Sequence, residues 1–183
     1  MKHAMRCLCA GIGSAIFMFV LAPLAAACPD LLKHQFKSLQ GETVNLCAYE
    51  KRPILIVNTA SMCGYTPQLE KLEAMSKRYG KRGLVVLGFP SNDFNQEYVS
   101  NKEIANFCRL NYAIEFPMME QGAVSGPKAS ALFRQLATAS GEAPAWNFHK
   151  YLIAPDGKTV HSFRAAVEPD APEVIKRLAP MLR

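Results

Sequence analysis

Two short apolar runs with a helix-forming segment between them constrain the fold more than any other feature of the chain. Residues 53–58 and 84–89 are rich in β-branched and other apolar side chains, which is typical of strands buried on both faces. Between them, Pro67 can open a helix whose apolar side chains recur at helical spacing as far as Gly80. A strand, a helix and a second strand without a tight turn predict a right-handed unit with two parallel strands.

The remaining segments predict two hairpins and three further helices. Residues 36–44 indicate an N-terminal hairpin, and residues 148–163 indicate a second hairpin around a turn of Pro, Asp and Gly. Ser100 and Glu103 have the spacing of a capping box, which predicts a helix from this point to Tyr112. Another helix should follow residues 126–127 and end near residue 137.

The C-terminal segment predicts the last helix. Asp170 and Glu173 can form its N-terminal cap, and Ile175, Leu178 and Leu182 should be its buried side chains. The complete order is that of a thioredoxin-like α/β fold, with a central mixed β-sheet flanked by helices and an N-terminal hairpin.

Residues 1–27 have the layout of a secretory signal peptide. Lys2 and Arg6 precede an apolar stretch over residues 10–24, and three alanines at residues 25–27 form a cleavage site. We therefore expect cleavage before Cys28, a single domain over residues 28–183, and export across the inner membrane to the periplasm.

Two alternatives to this cleavage remain open. An uncleaved anchor is one, although the apolar stretch is shorter than the roughly 20 residues that a spanning helix needs. The other is a lipoprotein that carries its lipid on Cys28, although Ala25 stands where a lipobox usually has Leu.

The net charge does not indicate a nucleic-acid partner. The whole chain has 21 Lys and Arg against 15 Asp and Glu, a net charge of +6, and removal of residues 1–27 reduces this to +4. The positive side chains are scattered, and no run reaches the length of a nucleic-acid-binding patch.

Cys63 lies in the loop between the first buried strand and the following helix. In an α/β sheet, such loops present reactive groups at the carboxyl ends of the strands. The N-terminus of a helix stabilises a thiolate through its free N–H groups and the positive end of its dipole. Thr66 stands where a Cys-x-x-Cys motif would have its second cysteine, which excludes disulfide exchange through that motif. Ser61 and Thr66 make the loop polar, which disfavours a buried structural cysteine.

Three segments resemble the motifs of the glutathione peroxidase family. Residues 57–68, Val-Asn-Thr-Ala-Ser-Met-Cys-Gly-Tyr-Thr-Pro-Gln, are similar to its active-site signature. Residues 88–92 with 96–97 are similar to its second motif, and Trp-Asn-Phe at 146–148 to its third. The motifs occur in the family's order, and the resemblance extends from about Leu32 onward. It implies a thioredoxin-like fold and a cysteine-containing, exported, bacterial-type peroxidase that needs no bound cofactor.

The resemblance also implies the roles of four residues. Cys63 is the peroxidatic residue, at the position where some members have selenocysteine, and Gln96, Trp146 and Asn147 match the other active-site positions. Indole and amide N–H groups can donate to a thiolate and to the oxygen that leaves when the O–O bond breaks. Because the thiolate displaces oxygen directly and becomes a sulfenic acid, no metal or haem is required.

Cys108 resembles the internal resolving cysteine of family members that are reduced by thioredoxin-like proteins. A disulfide with Cys63 needs Cα atoms within about 7 Å, so we expect the helix that carries Cys108 to unwind in part. The alternative is an inert thiol buried on that helix. The short segment 126–146 differs from that of tetrameric members that use glutathione, which favours a monomer with a protein donor, although glutathione stays open as a reductant.

Two further cysteines flank the N-terminal hairpin. A disulfide between Cys28 and Cys47 would close a loop of about 20 residues and contribute roughly 3 kcal/mol in the chain-entropy model. The oxidising compartment expected after export permits this bond, whereas lipidation of Cys28 would exclude it. His34, His149 and His161 are isolated from one another and from any Cys-x-x-Cys motif, so they predict no metal site.

The leading function is a thiol peroxidase that reduces hydrogen peroxide or organic hydroperoxides. Two alternatives are a thioredoxin-like disulfide reductase and a copper-carrying module of the same fold. The first needs a second cysteine in place of Thr66, and the second needs two cysteines and a histidine near Cys63. The sequence has neither pattern.

Overall fold

The computed structural model describes residues 27–183, which are built around a four-stranded mixed β-sheet. Its strand order is β4-β3-β5-β6, with β3 at Ile54–Thr59, β4 at Val85–Pro90, β5 at Lys150–Ile153 and β6 at Val160–Phe163. β3 and β4 are parallel, whereas β5 is antiparallel to both β3 and β6. The parallel unit and the second hairpin predicted from the sequence are therefore confirmed.

Helices cover both faces of this sheet. They are α1 (Gln68–Gly80), α2 (Asn101–Tyr112), α3 (Ala131–Ser140) and α4 (Pro172–Leu178). Alternate residues of β3 belong to different core clusters, with Leu55 and Val57 packed with α1, α2 and α4, and Ile54 and Ile56 packed with α3. Burial on both faces explains why β3 is apolar without alternation.

The N-terminal hairpin consists of β1 (Gln35–Lys37) and β2 (Thr43–Asn45), which are antiparallel as predicted. Short 3-10 helices at Asp30–Leu32 and Leu46–Tyr49 flank it. Cys28 and Cys47 form a disulfide with Cα atoms 5.7 Å apart. The bond joins the chain two residues before the first 3-10 helix to the second 3-10 helix.

The predicted capping box begins α2. Ser100 Oγ accepts the backbone N–H of Glu103, and the Glu103 carboxylate accepts the backbone N–H of Ser100. At its other end α2 stops at Ala113, whose φ of 49° lies in the left-handed region that glycine adopts more readily.

The cap predicted for α4 was wrong. The N-cap residue is Ala171, whose methyl side chain cannot accept a hydrogen bond, and the Asp170 carboxylate pairs with Lys71 Nζ of α1 at 3.1 Å. Of the three side chains predicted to be buried, only Leu178 is fully so. The local pattern could not reveal a cation that is distant in sequence.

The predicted signal peptide, with Cys7 and Cys9, lies outside the described residues except for Ala27. In the part of the chain that the structure covers, no helix has both the length and the apolar character needed to cross a membrane.

Candidate active site

Cys63 lies in the turn that joins β3 to α1. Its Sγ accepts the backbone N–H of Tyr65, with 3.4 Å between nitrogen and sulfur. The sequence pattern predicts that this N–H belongs to the N-terminus of the helix. α1 begins only at Gln68, so the N–H belongs instead to the turn before the helix. Only 8 % of the Cys63 surface is exposed, which leaves the sulfur at the edge of the core.

Thr66 fixes the backbone of this turn. Its Oγ1 accepts the N–H of Cys63 at 3.1 Å and lies 2.7 Å from the Cys63 carbonyl oxygen and 2.9 Å from that of Ala60. The residue that replaces the second cysteine of a Cys-x-x-Cys motif is thus a buried structural hydroxyl. It gives the turn rigidity and leaves Cys63 without a neighbouring thiol in the motif.

Gln96 and Asn147 meet beside this turn. Asn147 is buried, and its Nδ2 donates to Gln96 Oε1 at 3.0 Å. The Gln96 carbonyl oxygen accepts the N–H of Met62, the residue before Cys63, at 2.9 Å. Asn147 Oδ1 is also buried and has no hydrogen-bond partner among residues 27–183. The structure therefore brings the second and third motifs to the first.

Trp146 lies at the surface of the same region. Its indole is 41 % exposed and packs on Phe94, with ring centroids 5.4 Å apart. Met62, on the chain next to Cys63, is 52 % exposed. Asn58, near the end of β3, fixes the backbone of residues 146–148. Its Nδ2 donates to the Trp146 carbonyl, and its own carbonyl accepts the N–H of Phe148.

Asn58 and Glu97 are site residues to which the sequence analysis assigned no role. Glu97 Oε1 accepts the N–H of Ser61 at 3.1 Å and that of Tyr98 at 2.9 Å, and burial raises the pKa of this carboxyl. Glu97 thus joins the Cys63 turn to the segment that carries Gln96. Asn58 lies in the first motif and Glu97 in the second. A polar residue at the end of an apolar strand is the sequence feature that could have identified Asn58 as a site residue.

The loop before Trp146 is held by a polar cluster around Glu142. Its carboxylate accepts Arg164 Nε at 2.6 Å and Ser162 Oγ at 2.9 Å. His149 Nε2 lies 2.7 Å from the same Ser162 hydroxyl, and burial lowers the pKa of His149 to about 4. The imidazole is therefore neutral at neutral pH and serves this cluster. No group of three or more metal-ligating side chains occurs within the described residues.

Cys108 has a different environment from Cys63. It is buried on α2 with 5 % of its surface exposed, and it belongs to the same apolar core cluster as Cys63. Burial and, to a smaller extent, the negative charge of Glu97 raise the pKa of Cys108 to about 12. Both thiols are free, and Cys108 is fully protonated at neutral pH.

This arrangement, a cysteine turn at the end of a central strand with the Gln96–Asn147 amide pair beside it, is that of an enzyme of thioredoxin-like fold. The chain belongs to the glutathione peroxidase family, since the family model described as glutathione peroxidase matches residues 31–137. It is 42 % identical over 144 residues to a hydroperoxy fatty acid reductase of Synechocystis sp., covering 73 % of this chain and 85 % of that protein. It is 41 % identical over 146 residues to a glutathione peroxidase of Lactococcus lactis, covering 76 % and 93 %.

Solved structures agree with this membership. The crystal structure of T. cruzi GPX1 is 29 % identical with a TM-score of 0.65, covering 82 % of this chain and 95 % of that one. The structure of M. tuberculosis dsbF, 16 % identical with a TM-score of 0.57, covers 85 % and 99 % and is similar in fold alone. The thioredoxin-like α/β fold predicted from the sequence is confirmed, and the chain is an enzyme of the peroxidase class.

Proposed function

We propose that the protein reduces hydroperoxides with Cys63 as nucleophile, Gln96, Trp146 and Asn147 as hydrogen-bond donors, and Cys108 as resolving cysteine. One observation carries the proposal. The Tyr65 N–H points at Cys63 Sγ, and the Gln96–Asn147 pair is joined to the same turn through Met62.

The first step forms an S–O bond and breaks the O–O bond of the substrate. The Cys63 thiolate attacks one peroxide oxygen and becomes a sulfenic acid, while the other oxygen leaves as hydroxide or alkoxide and is protonated to water or alcohol. Asn147 uses one N–H on Gln96, so its second N–H, the Gln96 amide and the Trp146 indole can donate to the developing charge. Hydrogen peroxide and organic hydroperoxides share the O–O group that this step needs.

The second step joins the two thiols. The Cys108 thiol condenses with the sulfenic acid of Cys63, which releases water and leaves a disulfide. Because Cys108 is enclosed in α2 and protonated, we propose that the end of α2 opens first. The left-handed backbone of Ala113 supports this step, since a non-glycine residue in that conformation costs about 1 kcal/mol and weakens the helix end.

We propose a thioredoxin-like dithiol protein as the reductant of this disulfide, and a monomer as the active form, with glutathione as the competing reductant. The presence of Cys108 in the same chain supports a dithiol donor, because an internal disulfide is the substrate on which such a donor acts. The short segment 126–146 supports the monomer.

We further propose that residues 1–27 direct export to the periplasm. The Cys28–Cys47 disulfide supports this, because such bonds persist in oxidising compartments. The intact mass of the mature protein tests the proposal, since a disulfide removes two hydrogens whereas lipidation of Cys28 would add a diacylglyceryl group.

The experiment that tests the function is peroxide consumption with a thioredoxin system as electron source. Cys63→Ser should reduce consumption to the background rate, because a serine hydroxyl is not ionised at neutral pH. The matched control is the double variant Cys28→Ser/Cys47→Ser, which changes cysteines outside the site and should keep its activity. Unchanged activity in Cys63→Ser would contradict the proposal.

A further inference from the structure

Lys150 is a fully buried lysine at the first position of β5. Its Nζ donates to the Phe148 carbonyl at 2.7 Å, to Gln68 Oε1 at 2.8 Å and to the Ala165 carbonyl at 3.3 Å. The three N–H groups of the ammonium thus each have an acceptor, none of which is a carboxylate. A buried lysine without a carboxylate partner is rare and costly, so its presence needs a reason.

Gln68, one of the three acceptors, connects Lys150 to the Cys63 turn through hydrogen bonds. Gln68 is the first residue of α1, and its backbone N–H donates to the Tyr65 carbonyl at 2.9 Å. The N–H of Tyr65 in turn donates to Cys63 Sγ. Gln68 Nε2 also donates to the Ala165 carbonyl at 2.8 Å, so its side chain is held from both ends.

The Phe148 carbonyl, a second acceptor, connects Lys150 to the segment that carries Trp146 and Asn147. Phe148 follows Asn147 directly, and its φ of 63° places a bulky residue in the left-handed region. Such a conformation persists only where the surroundings fix it. Here the Phe148 N–H is bonded to the Asn58 carbonyl and the Phe148 carbonyl to Lys150, so the lysine holds one side of the strained residue.

We propose that Lys150 is a positioning residue for peroxide reduction, whose ammonium holds the Cys63 turn and the Trp146–Asn147 segment in one arrangement. This inference rests on the proposed role of Cys63. Lys150 makes no hydrogen bond to the Cys63 sulfur, and it acts through Gln68 and Phe148.

The charge of Lys150 changes in an accessible pH range. Burial lowers the pKa of Lys150 to about 7, while Glu168 acts in the opposite direction. The charges of Glu142 and Arg164 affect the pKa of the neighbouring His149, Glu142 by raising it and Arg164 by lowering it. A neutral amine has two N–H groups, so loss of the proton leaves one of the three acceptors without a donor.

Fluorescence tests the arrangement without reference to activity, because Trp146 is the only tryptophan of the chain. In a Cys63→Ser background, Trp146 emission should change between about pH 5.5 and about pH 9, with a midpoint near the pKa of Lys150. Adding Lys150→Gln should remove this transition, whereas Lys176→Gln, on the exposed face of α4, should retain it. A parent protein without the transition, or an identical transition in Lys150→Gln, would overturn the proposal.

Transient kinetics with intact Cys63 then separates positioning from a merely structural role. At about pH 6, Lys150→Gln should lower the rate constant for oxidation of Cys63 by hydrogen peroxide roughly tenfold to a hundredfold, the effect of a small misplacement of reacting groups. Reduction of the disulfide should keep its rate, and the difference from wild type should shrink as pH rises above about 8. An equal loss in both half-reactions would contradict the proposal.

The two tests also distinguish the failure of this inference from the failure of the proposed function. If Cys63 is not the nucleophile, the fluorescence transition and its loss in Lys150→Gln are still expected. If Lys150→Gln does not fold, the presence or absence of the transition in the Cys63→Ser parent decides the question.

Discussion

Cys63 and Cys108 are almost equally buried, with 8 % and 5 % of their surfaces exposed, yet the groups that face the two sulfur atoms differ. The Cys63 sulfur receives a backbone N–H from Tyr65, whereas Cys108 is next to the negative charge of Glu97 and has a pKa of about 12. The exposed fraction alone therefore does not distinguish the two thiols. The groups that face each sulfur do, because Cys63 accepts an N–H, whereas burial in the apolar core and the charge of Glu97 raise the pKa of Cys108.

The two positions in the fold explain this difference. Cys63 follows a strand, where the N–H groups of the next turn are free to point at a side chain. Cys108 lies within α2, where backbone N–H groups are used in the helix, and its side chain belongs to an apolar core cluster within reach of the charge of Glu97. A thiol held in this way stays protonated, which protects it from oxidation while α2 is intact.

The variant Cys108→Ser should prevent the proposed disulfide with Cys63 and have the largest effect on peroxidase turnover. We expect multiple turnover with a thioredoxin system to fall to the background rate, because no internal disulfide can form. The first oxidation of Cys63, measured in a single turnover, should keep its rate. Normal turnover in this variant would show that Cys108 is the inert thiol that its burial also allows.

Removal of the Cys28–Cys47 disulfide should have the next largest effect, and this effect should be on stability. It tests whether this disulfide, unlike the free cysteines Cys63 and Cys108, is only structural. The double variant Cys28→Ser/Cys47→Ser should lose roughly 3 kcal/mol of unfolding free energy, because the denatured chain regains the freedom of the closed loop. Urea denaturation measures this loss, and peroxide consumption should remain. A loss of activity in the folded variant would mean that this bond also supports the site.

Glu97→Gln should have the smallest effect, and it tests the electrostatic part of the comparison. Removal of the negative charge should lower the pKa of Cys108 by about one unit, and burial should keep it above the usual value of a thiol. The glutamine carbonyl oxygen can still accept the N–H groups of Ser61 and Tyr98.

Alkylation of Cys108 measures this shift in a Cys63→Ser background. Below the pKa, a shift of one unit gives about ten times more thiolate, so the alkylation rate at mildly alkaline pH should rise about tenfold. Glu120→Gln, at an exposed carboxylate, is the control and should leave the rate unchanged. An unchanged rate in Glu97→Gln would mean that burial alone raises the pKa.

Much of the fold was predictable because it depends on local pattern. β3 and β4 are apolar throughout since both faces are covered, and the capping box of α2 involves residues three positions apart. The cap of α4 was not predictable in the same way, because Asp170 pairs with a lysine of α1.

The site was predictable mainly through the resemblance. Taken alone, Gln96 is an ordinary polar residue, and its contact with Asn147 joins segments that are distant in sequence. Lys150 and Glu97 were not assigned, because a charged residue is normally exposed and only the packed structure shows that these two are enclosed.

The central claim is that Cys63, and not Cys108, is the thiol that peroxide oxidises. The most direct measurement is to treat Cys108→Ser and Cys63→Ser separately with one equivalent of hydrogen peroxide in the presence of dimedone, and to locate the adduct by peptide mass spectrometry. We expect an adduct on Cys63 in the first variant and none on Cys108 in the second. An adduct on Cys108, or an unmodified Cys63, would contradict the claim.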